Sequence, residues 1–181
     1  TPLIFLLLAH LLAAIVCLAP GRRSARWALP VAAIAPAVTF GWLVSQAGGV
    51  LDGDTPTVEI DWIPQLALSI SVRLDGFGLL MGLLVSGIGV LVLLYSMAYF
   101  GRRDDLGRLA GLLVAVAGAM LGIVWADGLL TLFVFWELTS ITSFLLIGFD
   151  DTNAGARAAA TRAFLVTGAG GLSMLAGLII L

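Results

Sequence analysis

Glu137 stands alone in an apolar stretch: no Asp, Glu, Lys or Arg separates it from Asp127 on one side or Asp150 on the other. In a helix starting at Leu129, Glu137 lies about 12 Å along the axis at ~1.5 Å per residue, well inside a hydrocarbon layer of ~30 Å. A side chain that short cannot snorkel to water. The carboxyl has to face a partner, water or the protein interior, and an ionisable group at that depth is by default a functional residue. Carboxyls suit proton traffic in such places, because loss of water favours the neutral acid and a nearby cation favours the carboxylate. Ser140 lies about 60° away on the same helix surface, one turn on, and Thr139, Thr142 and Ser143 add hydroxyls at similar depth. Hydroxyls of this kind either hold a water chain or an ion, or bond back to carbonyls of their own helix. Arg162, a turn or so into the next apolar stretch, admits three roles: snorkelling to the surface beside Arg157, biasing protons in the same channel, or pairing with Glu137. Glu137, Ser140, Arg162, Thr139 and Ser143 are therefore the candidate proton and ion pathway.

Other chemistries lack their residues. His10 is the one histidine; it falls in the middle of an apolar stretch and could relay protons, yet no acid lies near it in sequence. Cys17, the one cysteine, reads as a small apolar helix residue. One His and one Cys cannot hold a metal or a redox cluster, and no glycine-rich loop precedes a lysine to cradle a phosphate. No cofactor and no metal are expected. The chain has no Lys, and its nine Arg are scattered, so there is no basic patch for nucleic acid. What remains is ion movement.

The elements that must position Glu137 follow from composition. Of 181 residues, 61% are hydrophobic and 11% charged, against roughly 45–50% and ~25% in a soluble domain. Soluble globules and disordered chains are both excluded; lipid is the remaining solvent. Charges cost several kcal/mol at the bilayer centre, so the gaps between them mark the spans. These gaps predict an all-α membrane protein with about six transmembrane helices, near 2–20, 28–47, 74–100, 109–126, 129–149 and 158–181. Residues 1–47 hold the first two helices, 48–73 a long loop, 74–100 the third helix, and 109–181 the fourth to sixth.

The first span is too long for a signal peptide's apolar core and is followed by Arg22, Arg23 and Arg26, so it is read as an anchored helix. Loops after the first, third and fifth spans carry Arg22, Arg23, Arg26, Arg102, Arg103, Arg108 and Arg157; the other two carry only Arg73, with five acids. By the positive-inside rule the Arg-rich side is cytoplasmic and the N-terminus lies outside, which places the protein in the cell membrane.

The loop at 48–73 opens with turn residues, Gly48-Gly49 and Asp52-Gly53-Asp54. It continues with two alternating stretches, Val58, Ile60, Trp62 and Leu66, Leu68, Ile70, Val72, broken by Pro64. That pattern predicts a short outer β-hairpin, a lid tying helix ends together. Gly78, Gly82 and Ser86, and Gly118 and Gly122, recur at four-residue spacing and permit close helix approach in lipid. Trp27, Tyr95, Tyr99, Trp62 and Trp125 read as interface anchors, and Asp75 as a solvated partner of Arg73.

Longer motifs carry a resemblance. The run Trp136-Glu137-Leu138-Thr139-Ser140-Ile141-Thr142-Ser143-Phe144-Leu145-Leu146-Ile147-Gly148-Phe149 resembles the fifth-helix motif of the antiporter-like membrane subunits shared by Mrp-type Na⁺/H⁺ antiporters and respiratory complex I. Leu74-Asp75-Gly76-Phe77-Gly78-Leu79, leading to Tyr95-Ser96-Met97-Ala98-Tyr99, is similar to the N-terminal signature of the family's large members. Thr139-Ser140-Ile141-Thr142-Ser143 and the run from Gly170 to Gly177 look closer to the A-type subunit of the Mrp antiporters than to the complex I subunit. The resemblance covers nearly everything from about residue 70 onward.

It implies a much longer protein built of two inverted five-helix repeats, each a half-channel around a broken helix. It also implies other membrane subunits of a hetero-oligomeric complex as partners, with H⁺ and Na⁺ as the transported ions. In the family the acid at the position of Glu137 pairs with a Lys on the seventh helix, beyond this chain's sixth. A Lys common early in the sixth helix is replaced by Arg162, which keeps its charge because guanidinium stays protonated in proteins. The start at Thr1 and the stop within an apolar run at Leu181 fit a piece of that longer chain, able to supply the acid of the pair but not the base. The rival readings are a redox-driven proton pump of the complex I type and a non-transporting structural subunit.

Overall fold

The computed structural model describes residues 2–19, 25–63, 68–100 and 105–180. Arg22, Arg23, Arg102, Arg103, Pro64 and Leu66, which bear on orientation and on the loop, lie outside the described residues. The described residues form six helices, α1 (Pro2–Leu18), α2 (Ala25–Leu51), α3 (Gly76–Tyr99), α4 (Leu106–Val124), α5 (Leu129–Ile147) and α6 (Ala154–Ile180). A two-stranded hairpin, β1 (Thr57–Ile63) and β2 (Leu68–Arg73), sits between α2 and α3. Among the described residues five helices, α2 to α6, are long and apolar enough to cross a membrane, and α1 is a shorter apolar helix of 17 residues. This is the all-α membrane architecture that the charge map predicts, with the short hairpin that the alternating stretches predict.

Helix α4 is the centre of the bundle, packing on α1, α2, α3 and α5. In lipid, burying apolar surface gives little advantage, so close packing between helices has to supply the attraction. The small residues of α4 provide it. A Cβ at Gly111 would stand 2.7 Å from Leu18 Cγ, and one at Gly118 would stand 2.7 Å from His10 Cβ. In α3, a Cβ at Gly82 would approach Leu43 to 2.9 Å and Trp125 to 3.2 Å.

Trp125 corrects an expectation. It is buried rather than an interface anchor, with its Nε1 donating to the Gly78 carbonyl at 3.2 Å; the α3 glycines leave a slot that an indole fills. Trp27, Trp62, Tyr95 and Tyr99 are exposed. Asp75 is a partner of Arg73, as expected, and has a second task. Its Oδ1 accepts from the Gly78 amide at 2.7 Å and caps α3, satisfying a donor that a helix start leaves free. Arg73 lies 3.1 Å from Asp127 and 3.9 Å from Asp75.

Helix α2 runs through Gly48-Gly49, where a turn is expected, and stops at Leu51. The reversal happens one step later, at Gly53 with φ +105°, a backbone region that glycine enters without steric cost. The carbonyls of Gly48 and Gly49 accept from the amides of Asp52 and Asp54 at 3.0 and 2.9 Å, so the turn closes the helix end that would otherwise leave acceptors free. The hairpin pairs antiparallel, with Val58 opposite Val72, Glu59 opposite Ser71 and Ile60 opposite Ile70. Val72 is buried against the bundle.

Candidate proton and ion site

The site is built on α5, which is held at both ends by polar contacts. At the hairpin end, β2 runs beside the α4–α5 turn. Arg73 N donates to Trp125 O at 2.7 Å, Asp127 N to Ser71 O at 3.0 Å, and Ser71 N to the buried Thr131 Oγ1 at 2.9 Å. The Arg73–Asp127 ion pair lies alongside. The hairpin is thereby stitched to the first turn of α5. Sequence reasoning missed Thr131 and Ser71, since neither belongs to a motif and only the tertiary approach joins them.

At the other end, Arg108 of α4 reaches the α5–α6 turn. Its Nη1 donates to Asp151 Oδ2 at 3.0 Å and its Nη2 to the Phe149 carbonyl, and its guanidinium lies 4.5 Å from the centre of the Phe149 ring. Arg157 donates to the Asp151 carbonyl at 2.6 Å. Arg108 and Arg157 share one end of the bundle and line a cavity of about 480 Å³ there, while Arg73, Asp75 and Asp127 share the hairpin end.

Between these ends α5 and α6 meet along an antiparallel seam. A Cβ at Gly148 would stand 3.2 Å from Ala160 Cβ, and the rings of Phe144 and Phe164 are 5.2 Å apart. The third contact is Glu137 with Gly171: a Cβ on that glycine would lie 2.9 Å from Glu137 Cδ and 3.5 Å from Oε2, and would overlap Oε1. Positions 148, 144 and 137 descend α5 by steps of four and seven while 160, 164 and 171 ascend α6 by the same steps. Those intervals keep one face of each helix toward the other. Glu137 therefore occupies a packing position in the seam.

Its Oε1 is buried and has no hydrogen-bond partner. Leaving a buried polar oxygen unpaired costs about 1–3 kcal/mol, and more when it is charged, so this atom has an unmet need for a proton, a water or a cation. Among the described residues no cation lies within ion-pair distance of it. Arg162 is exposed on α6, nine residues from Gly171, or about 13 Å along the helix; the structure does not bring it to the acid.

The hydroxyls divide as the chemistry of Ser and Thr in helices allows. Thr139 Oγ1 donates to Trp136 O at 2.7 Å, the buried Ser140 Oγ to the same carbonyl at 3.2 Å, and Thr142 Oγ1 to Leu138 O at 2.8 Å. All three take the back-bonded option, and Ser143 is half-buried on the same helix. On α1, His10 is buried; its Nδ1 donates to Leu6 O at 2.8 Å and its Nε2 has no partner. Cys17 is buried, with Sγ donating to Ala28 O at 3.3 Å. Among the described residues no group of three or more His, Cys, Asp or Glu could hold a metal.

An apolar helical bundle with polar clamps at its ends and one acid in a helix seam defines a multi-pass membrane protein. Residues 126–181 match the family described as NADH:quinone oxidoreductase/Mrp antiporter, TM, and residues 62–108 the family described as NADH-Ubiquinone oxidoreductase (complex I), chain 5 N-terminus. The chain is 48% identical over 135 residues to the A/B subunit of a probable K(+)/H(+) antiporter of Rhizobium meliloti, covering 75% of this chain and 13% of that protein. It is 40% identical over 146 residues to the A1 subunit of a Na(+)/H(+) antiporter of Staphylococcus aureus, covering 81% and 18%. The structure of the Mrp complex from Dietzia sp. superposes with a TM-score of 0.81 at 28% identity, over 97% of this chain and 19% of that one. The chain belongs to the family of antiporter-like membrane subunits that Mrp antiporters and NADH:quinone oxidoreductase share. It spans less than a fifth of the length of these curated relatives.

Proposed function

We propose that this chain is the N-terminal part of a membrane subunit of a multi-subunit monovalent cation/proton antiporter, and that Glu137 is the embedded carboxyl through which protons pass. The observation that carries the reading is the buried, unpartnered Oε1 of Glu137 in the α5–α6 seam. A group that must repeatedly gain and lose a proton cannot be locked in a strong permanent pair, and this acid has none among the described residues. Ser140, Thr139 and Ser143 share its helix, and the back-bonded hydroxyls of Ser140 and Thr139 retain acceptor lone pairs for water or an ion. Arg162 contributes a fixed positive charge on the next helix. The relatives' names support exchange of a monovalent cation, K⁺ in one and Na⁺ in the other; we take Na⁺ as the exchanged ion. Only 6% of the apolar window of α6 is buried within the chain, which supports lipid and further membrane subunits as its neighbours. The Arg distribution supports a cell-membrane protein with its N-terminus outside.

Glu137→Gln in the complete complex tests the reading. Cation-driven proton movement in everted vesicles should fall by ~100-fold or more, the scale on which a positioned proton-transfer group acts. Full exchange by this variant would sink the proposal. The matched family descriptions, both of which name a quinone oxidoreductase, favour one second reading, a proton-pumping subunit driven by electron transfer. Iron–sulfur absorbance in the purified complex would select it.

A further inference from the structure

We infer that Gly171 is the positioning residue for Glu137: the side chain missing at 171 is the space in which the carboxyl oxygen sits. The inference rests on the functional reading above and goes beyond it by assigning a role on α6. The nearest atoms to a Cβ at 171 are all from the Glu137 carboxyl, Oε1, Cδ and Oε2. The glycine thus does not serve close approach of the two backbones, the usual use of small residues between membrane helices. Its neighbours set the contrast, since a Cβ at Gly168, Gly170 or Gly177 would meet nothing within 4 Å. Of the glycines along α6 from 168 onward, only Gly171 faces the acid. The seam explains why. Ala160 and Phe164 fill their positions opposite Gly148 and Phe144, and the next register position must hold the longer glutamate without spreading the helices. A vacancy of one side chain on α6 does this, and it holds the carboxyl between the helices instead of against lipid.

Steric complementarity of this kind is tested by shortening the acid as the notch is filled. In the complete complex, cation-driven proton exchange is compared across Gly171→Ala, Glu137→Asp, the double variant, and Gly168→Ala as control. Gly171→Ala should lose ~10-fold or more of the maximal rate and shift the pH profile, while Gly168→Ala leaves both unchanged. Asp is one methylene shorter, so the double variant should run at least ~5-fold faster than the product of the single effects, as contacting residues couple. A double variant equal to that product, or Gly171→Ala at wild-type rate with an unshifted profile, overturns the inference. Should Gly171→Ala fail to accumulate in membranes, the amount of assembled complex reads the same coupling: recovery on adding Glu137→Asp supports the notch, and no recovery refutes it. The two proposals fail separately. Full exchange by Glu137→Gln removes the proton role whatever happens at 171, whereas an inactive Glu137→Gln with a neutral Gly171→Ala removes only the notch.

Discussion

In α4, 56% of the apolar window is buried inside the protein; in α5 the share is 17% and in α6 it is 6%. Both regions are helical and apolar, so composition does not separate them. The α1–α4 region is held by continuous small-residue packing, with glycines against Leu18, His10, Leu43 and Trp125. The α5–α6 pair is pinned at its ends, by Thr131–Ser71 and Arg73–Asp127 at one and by Arg108–Asp151 at the other; between them α5 packs on α4, with the Phe135 ring against Gly122, and on α6 along the seam. The acid stands in the helix pair whose apolar surface this chain covers least. Within this chain α1–α4 pack on one another, and α5 and α6 turn most of their apolar surface outward, toward other neighbours.

That contrast can be broken by substitution. The largest loss of stability is expected in the scaffold: Trp125→Ala empties the slot between Gly78 and Gly82 and should cost about 3–5 kcal/mol, read as a lowered unfolding midpoint of the detergent-solubilised complex. An unchanged midpoint would dissolve the distinction between the two regions. A smaller effect is expected at the clamp. Thr131→Val removes the acceptor of the Ser71 amide and should cost about 1 kcal/mol, seen as faster amide exchange in β2 with α4 unaffected; equal acceleration in α4 would mean that the regions open together. The smallest is Arg162→Gln, an exposed change expected to stay within about 0.5 kcal/mol. Its loss of exchange should be well below that of Glu137→Gln, and an equal loss would join the arginine to the acid's pathway despite their separation.

Much of this was legible in the chain. Charges marked the helix ends because lipid penalises each charge separately, and the same rule isolated Glu137 without any contact being known. Period-two alternation located the hairpin. Trp125 was misread because burial of an indole near a helix end depends on what the neighbouring helix leaves open, here the space beside Gly78 and Gly82. Asp75 pairs with Arg73 at 3.9 Å, as its place beside the arginine suggests; its position just before an apolar helix, three residues ahead of Gly78, carries a capping signal as well. Gly171 had no such signal, because an antiparallel pairing of α5 and α6 leaves their register open, and only the contacts of Gly148 with Ala160 and Phe144 with Phe164 set it.

The sequence by itself determined that the chain lives in lipid, how many apolar helices it forms, and which single acid stands among them, because the cost of a charge in hydrocarbon belongs to the residue and its depth. Only the tertiary structure decided that the carboxyl rests in the gap at Gly171 instead of beside Arg162, and that the hairpin grips α5 through Thr131. Those are properties of pairs, set by the register in which two helices pack.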